Sequence, residues 1–176
     1  LLLTSCGAVA IGSYHIAKYI VGPTAVRQVP RDSTLPDPKL TPGVVRTTSR
    51  SELCDPSFHT ATVRNVPDSV KQAVRASYGM TTDHDRWCNT ASKCEIDHLI
   101  ALILGGANDP LNLWPQAYEG PWNAHHKDQL EVRLHHMICE GKIEVTVAQK
   151  AIATNWIEAY KIYVSPTPTL PDRREP

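Results

Sequence analysis

Aromatic side chains are scarce in this chain. Its 176 residues include one Phe, four Trp and six Tyr. With so little Phe, the tryptophans have to fill core volume, so Trp114, Trp122 and Trp156 are expected inside. Net charge is also lacking: 18 Lys and Arg balance 18 Asp and Glu. That excludes a globally basic nucleic-acid-binding domain. No series of long apolar runs is present, which excludes a polytopic membrane protein. At 41% hydrophobic residues, the chain can build one modest core and is not wholly disordered. There is no Cys-X-X-Cys, so a zinc–thiolate site ranks below disulfides. Internal repeats and base-reading motifs are absent too.

The charges that cancel overall separate along the chain. Between 23 and 50, Arg27, Arg31, Lys39, Arg46 and Arg50 stand against Asp32 and Asp37, a net +3. Residues 51–164 carry 10 basic and 14 acidic residues, a net −4, and seven of the eight His. Nucleic-acid contact by this body must therefore be local, or aided by a metal cation. Pro23, Pro30, Pro36, Pro38 and Pro42 mark 23–50 as a semi-rigid linker without its own core. Residues 165–176 form a Pro-rich tail, leaving 51–164 as the folded domain.

Residues 1–22 are expected to be an export or anchoring segment. Leu3-Thr4-Ser5-Cys6 resembles a lipobox, Ala8-Val9-Ala10 fits a small-residue cleavage site, and an uncleaved membrane anchor is the third reading. All three place the protein outside the cytoplasm: periplasmic, envelope-attached or extracellular. In an oxidising compartment, the even set Cys54, Cys88, Cys94 and Cys139 suggests two disulfides. Cys88 with Cys94 and Cys54 with Cys139 is the favoured pairing of the three that four cysteines allow.

Within the body, Asp68-Ser69 opens a short helix closed by Gly79, and 80–94 reads as a polar loop. Glu95–Leu104 is the most apolar run. Gly105–Pro110 carries turn chemistry, and Leu111–Trp114 returns to Pro115, which should end it. Together they predict a hairpin around a long turn. A helix over 122–140 is marked by Leu130, Leu134, Met137 and Ile138 on one stripe and by Gly141 after it. A second helix starts at Thr146, where Gln149 would complete a capping box.

The polar groups inside this pattern are the candidate site. Asp97 and His98 are adjacent in an apolar run and point to opposite faces if that run is a strand. Asn112 lies on the returning segment. At about 100° per residue, Lys127 sits about 40° from Asn123 on the helix, and His126 about 60° away on the other side. Asn123, His126 and Lys127 can thus face the partner of Leu130 and Leu134, whereas His125 points away. Asp128 and Glu131 read as surface charges, and His135-His136 as ordinary helix residues.

The ordered string Asp97-His98-Leu99-Ile100, Gly105-Gly106, Asn112-Leu113, then a helix opening Asn123-Ala-His125-His126-Lys127, resembles the HNH endonuclease family, in a bacterial branch often found behind a signal peptide. The motif stretch spans about 95–131. The resemblance implies an α+β fold with a ββα-metal (His-Me finger) core and flanking helices. It also implies one divalent metal ion, with Mg, Mn and Zn as candidates, and a DNA substrate, or RNA. By the same resemblance His98 is the general base, Asp97 a metal ligand, and Asn112 the residue that holds the hairpin and orients the base. The second ligand is Asn123 or, alternatively, His126. No small-molecule cofactor is implied.

Three functions follow as expectations. The first is an exported or envelope-attached nuclease with little sequence specificity. The second is a catalytically inactive envelope module on the same scaffold. The third is a nuclease effector acting on other cells.

Overall fold

The computed structural model describes residues 34–80 and 93–165. The chain enters through three short helices, α1 (Arg50–Leu53), α2 (Thr60–Val63) and α3 (Asp68–Ser77). Two strands follow, β1 (Cys94–His98) and β2 (Leu113–Ala117), and then two long helices, α4 (Ala124–Cys139) and α5 (Val145–Tyr163). The mixture of helices with one small antiparallel sheet makes the chain an α+β protein. The expected segment 1–22, the tail from 166 and the loop 81–92 lie outside the described residues. No described helix is long and apolar enough to cross a membrane.

β1 and β2 pair antiparallel with Asp97 opposite Trp114 and His98 opposite Leu113. Cys94, placed by the sequence pattern in a loop, is the first residue of β1. Pro115 does not end β2, which runs on to Ala117. In a sheet of two strands each has an outer edge, and there a missing N–H costs no ladder bond. Beyond His98 the apolar run leaves the strand. Leu102–Leu104 forms a turn of 3-10 helix, and Leu99, Ile100, Ala101, Leu102 and Leu104 are all buried. Successive positions of this run are buried, with Ile103 alone among 99–104 partly exposed, which is why it is apolar throughout.

Leu130, Leu134 and Ile138 line the inward face of α4 and pack with Ala148, Ile152 and Trp156 of α5. Gly141, at φ +72°, ends α4, and the Lys142 N–H reaches back to the carbonyl of Met137 at 2.8 Å. The expected capping box at Thr146 does not form. α5 starts at Val145 with Glu144 at its cap position and no side-chain cap bond. Gln149 turns inward instead and donates to the carbonyls of Thr47 and Leu104, both at 2.8 Å. A buried carbonyl and a partly buried one that need donors outweigh one exposed cap. Asn155 interrupts α5 with extended backbone, and its side chain accepts from the N–H groups of Ile157 and Glu158, recapping the helix. The bend brings Trp156 into the core, where its indole N–H donates to the Thr34 carbonyl at 2.9 Å. Trp114 is also buried, while Trp122 is only partly so.

Residues 34–49, which the proline pattern assigns to a linker, lie against the body. Thr41 is buried and donates to the carbonyl of Leu113 at 2.9 Å, while the Tyr78 hydroxyl meets it at 2.7 Å. Val45 bridges Gly106, and Arg46 N–H and Ala107 N–H exchange bonds with the carbonyls of Gly105 and Val44. A proline-rich segment needs no core of its own when it borrows hydrogen-bond partners from a neighbouring loop.

A disulfide joins Cys54, after α1, to Cys139 at the end of α4. Cys94 is disulfide-bonded as well, and Cys88, its expected partner, lies outside the described residues.

Candidate functional site

The loop from Leu99 to Asn112 is built around one amide. The Asn112 side chain accepts from the N–H of Ile100 at 2.9 Å and donates to the carbonyls of Ile100 and Ala107, each at 2.9 Å. Asn112 has no exposed surface, so these bonds are made without competition from water. Gly106 lets the loop close. A Cβ there would lie 1.7 Å from the Ile100 carbonyl oxygen. The hairpin-holding part of the role assigned to Asn112 therefore has a concrete set of partners.

Asp97 and His98 leave β1 on opposite faces, as strand geometry requires. Asp97 faces α4, where Lys127 Nζ donates to its Oδ2 at 2.6 Å, to the His98 carbonyl at 2.7 Å, and to the Glu131 carboxylate. Lys127 has no exposed surface. Its three N–H donors thus meet three acceptors, which satisfies a buried ammonium completely. Glu131 is not a surface charge: its side chain is largely buried against Lys127. Burial, opposed by Lys127 and reinforced by Asp97, pushes its carboxyl up to about 7. Lys127 is itself held above its ordinary value: burial opposes that, and Asp97 and Glu131 outweigh the burial.

More acid surrounds this pair. Burial and the charge of Asp97 raise Glu95 and Asp128. The Tyr118 hydroxyl donates to Glu95 at 2.9 Å, and burial together with Glu95 moves it up to about 12. Lys127 thus pairs directly with two carboxylates, Asp97 and Glu131, while Glu95 and the exposed Asp128 add negative charge nearby.

His98, on the other face, is 2% exposed. Its Nε2 lies 3.0 Å from Oδ1 of Asn108. Burial lowers its pKa most, and Arg64 and Lys127 lower it further, against the raising effects of Asn108 and Asp97. The imidazole is therefore neutral near pH 7.

The first turn of α4 splits the remaining candidates. Asn123 caps the helix. Its Oδ1 meets the His126 N–H and lies 3.0 Å from His126 Nδ1, and its amide donates to the Gly120 carbonyl. The His126 ring packs edge-on to Trp122 and Tyr160, each at 5.5 Å between centroids. Lys127, one residue on, is the α4 side chain that reaches Asp97. His125 is exposed beside Tyr118.

A second group escaped the sequence reading. Cys54, His135 and Cys139 bring three potential ligand atoms within 4.8 Å of one another, a set that could hold a metal ion. The signal was present as His135 and Cys139 at helical i, i+4 spacing, but the third member lies 81 residues away from His135, across the fold. In the oxidised chain the two sulfurs are bonded to each other, and His135 Nε2 donates to the Leu53 carbonyl at 2.9 Å. Thiolate ligation of a soft cation such as Zn requires the disulfide to be reduced first. A groove of about 750 Å³ opens beside this group, lined by Phe58, His59 and Ile103 among others. It includes none of residues 95–98, so it is not where Asp97 and His98 lie.

Comparison with known protein families, curated proteins and solved structures finds no match to this chain.

Proposed function

We propose that the chain is a metal-dependent endonuclease of the HNH type, hydrolysing phosphodiester bonds of DNA with little or no sequence specificity. The single observation that carries this reading is His98: a buried, neutral imidazole at the end of β1, tied through Nε2 and adjacent to Asp97. The chain order β1, β2, α4 is the order of a ββα element, which supports the reading.

In this reading His98 is the general base and accepts the proton of the attacking water. Asn112 holds the loop that follows His98, and Lys127 fixes both the Asp97 carboxylate and the His98 carbonyl. Asp97, with Asn123 or His126, would hold the divalent ion. That ion supplies Lewis-acid stabilisation of the leaving oxyanion. Arg64, whose charge reaches His98, offers a cation to an approaching phosphate, a contact that positions without reading sequence. Disulfides suit an oxidising compartment, which supports the reading of a protein exported to the periplasm, the envelope or the cell exterior, with residues 1–22 as its proposed means of export or membrane attachment.

One observation favours a second reading, a non-catalytic envelope module: Lys127 already occupies an oxygen of Asp97.

The test is plasmid nicking by the full chain and by His98→Ala, with added Mg, Mn or Zn and with chelator. Metal-dependent nicking that disappears in the variant is expected. Undiminished nicking by His98→Ala would remove His98 as the base. Failure to cut DNA or RNA with any of these metals would leave the non-catalytic module.

A further inference from the structure

We infer that Asn108 is a positioning residue that locks His98 in the tautomer protonated on Nε2, so that Nδ1 is the atom that accepts a proton. This rests on the reading of His98 as the general base, but its physical content can be tested without any cleavage.

The argument starts from the two ends of the Asn108 amide. Nδ2 lies 2.7 Å from the Val63 carbonyl, and Oδ1 lies 3.0 Å from His98 Nε2. A backbone carbonyl only accepts, so the NH2 end must face Val63. The oxygen end therefore faces His98. That oxygen can only accept, so Nε2 must donate. A neutral imidazole carries one ring proton, and with that proton on Nε2, Nδ1 holds the lone pair. The tautomer of His98 thus follows from the position of a carbonyl at the end of α2, through one amide.

The relay is held rigid on both sides. The preceding Ala107 donates its N–H to Val44 and accepts from Asn112, and the following Asp109 side chain accepts from the Leu111 N–H. His98 is buried, so no bulk water competes for Nε2. The amide is also the group that suits the position. A carboxylate would turn an oxygen toward the Val63 carbonyl, and an aliphatic side chain would leave Nε2 and that carbonyl unpartnered.

A purely structural Asn108 would tie the turn to α2 and leave the ring nitrogens of His98 unbiased. Long-range 1H–15N spectra of the full chain at pH 8 separate the two roles, with the His98 resonances assigned by their loss in His98→Gln. Wild type is expected to show a pyrrole-type Nε2 and a pyridine-type Nδ1. Asn108→Ala is expected to show averaged tautomers. Metal-dependent cleavage should fall about 10–100-fold in kcat for Asn108→Ala, with KM little changed.

A pyridine-type Nε2 in wild type overturns the inference outright, even if Asn108→Ala does not fold. An unchanged pattern in Asn108→Ala overturns it as well. If wild type has the expected pattern, Asn108→Ala loses it and neither wild type nor any variant cuts nucleic acid, Asn108 positions the ring as inferred, and the nuclease reading is what fails.

Discussion

The side chain of Asn112 pairs with the backbone of Ile100 as a neighbouring strand would, accepting from its N–H and donating to its carbonyl, both at 2.9 Å. One side chain thereby replaces a rung of sheet at the point where the chain leaves β1. Asn112→Ala would leave the buried Ile100 N–H without its acceptor and two carbonyls without this donor. A loss of about 2–4 kcal/mol is expected, read from denaturant midpoints. A loss under about 1 kcal/mol would show that residues 43–47 hold the loop by themselves.

Lys127→Met should destabilise the fold by about 3–5 kcal/mol, because it leaves Asp97 and Glu131 buried without their cation. The triple variant that also carries Asp97→Asn and Glu131→Gln should recover much of the loss, since the unpaired charges go with it. Thermal melts of the two variants check this. Equal melting temperatures would mean that lost packing, not charge, dominates.

Two groups should shape stability between pH 4.5 and 7 in opposite directions. His98 has its folded pKa lowered by burial from 6.5, so the unfolded chain binds more protons there. Its contribution is full above pH 6.5 and is lost as the pH falls toward the folded value. Glu131 is raised from 4.5 to about 7, so the folded chain binds more protons. Its contribution is full below pH 4.5 and is lost as the pH rises through 7. Relative to wild type, His98→Gln should therefore lose stability less steeply on acidification from pH 7 to 5, and Glu131→Gln should lose it more steeply. Melting temperatures across pH 5–8 read both slopes.

The Cys54–Cys139 bond closes a separation of 85 residues. Paired Cys54→Ser and Cys139→Ser substitutions should cost about 2–5 kcal/mol. Reduction should open the neighbouring metal-capable group. Cobalt(II) should give a thiolate charge-transfer band with the reduced chain, but not with the oxidised chain or with Cys139→Ser. A band from the oxidised chain would contradict the disulfide.

Much of the scaffold was legible from side-chain pattern. The stripe Leu130, Leu134, Ile138 foretold the inward face of α4, and Gly141 its end, because helical period and a left-handed terminus are local properties. The Cys54–Cys139 pair was also drawn from the even cysteine set. The apolar run after His98 was harder to read, since burial of consecutive positions erases the alternation that marks a half-buried strand. The wheel projection turned Asn123, His126 and Lys127 toward the hairpin; Lys127 does reach Asp97 of β1, whereas the His126 ring packs against Trp122 and Tyr160.

What the sequence determined by itself is what depends on neighbours along the chain: the two long helices, the turn at Gly105-Gly106, and the adjacency of Asp97 to His98. What only the tertiary structure decided is the set of partners those groups meet. Lys127 as the cation of Asp97, Asn108 as the acceptor for His98, and residues 34–49 as a strap over the loop all join positions at least ten residues apart. Such pairs depend on how elements pack, and a hydrogen-bond donor looks the same in sequence whether its acceptor is water or a buried carboxylate.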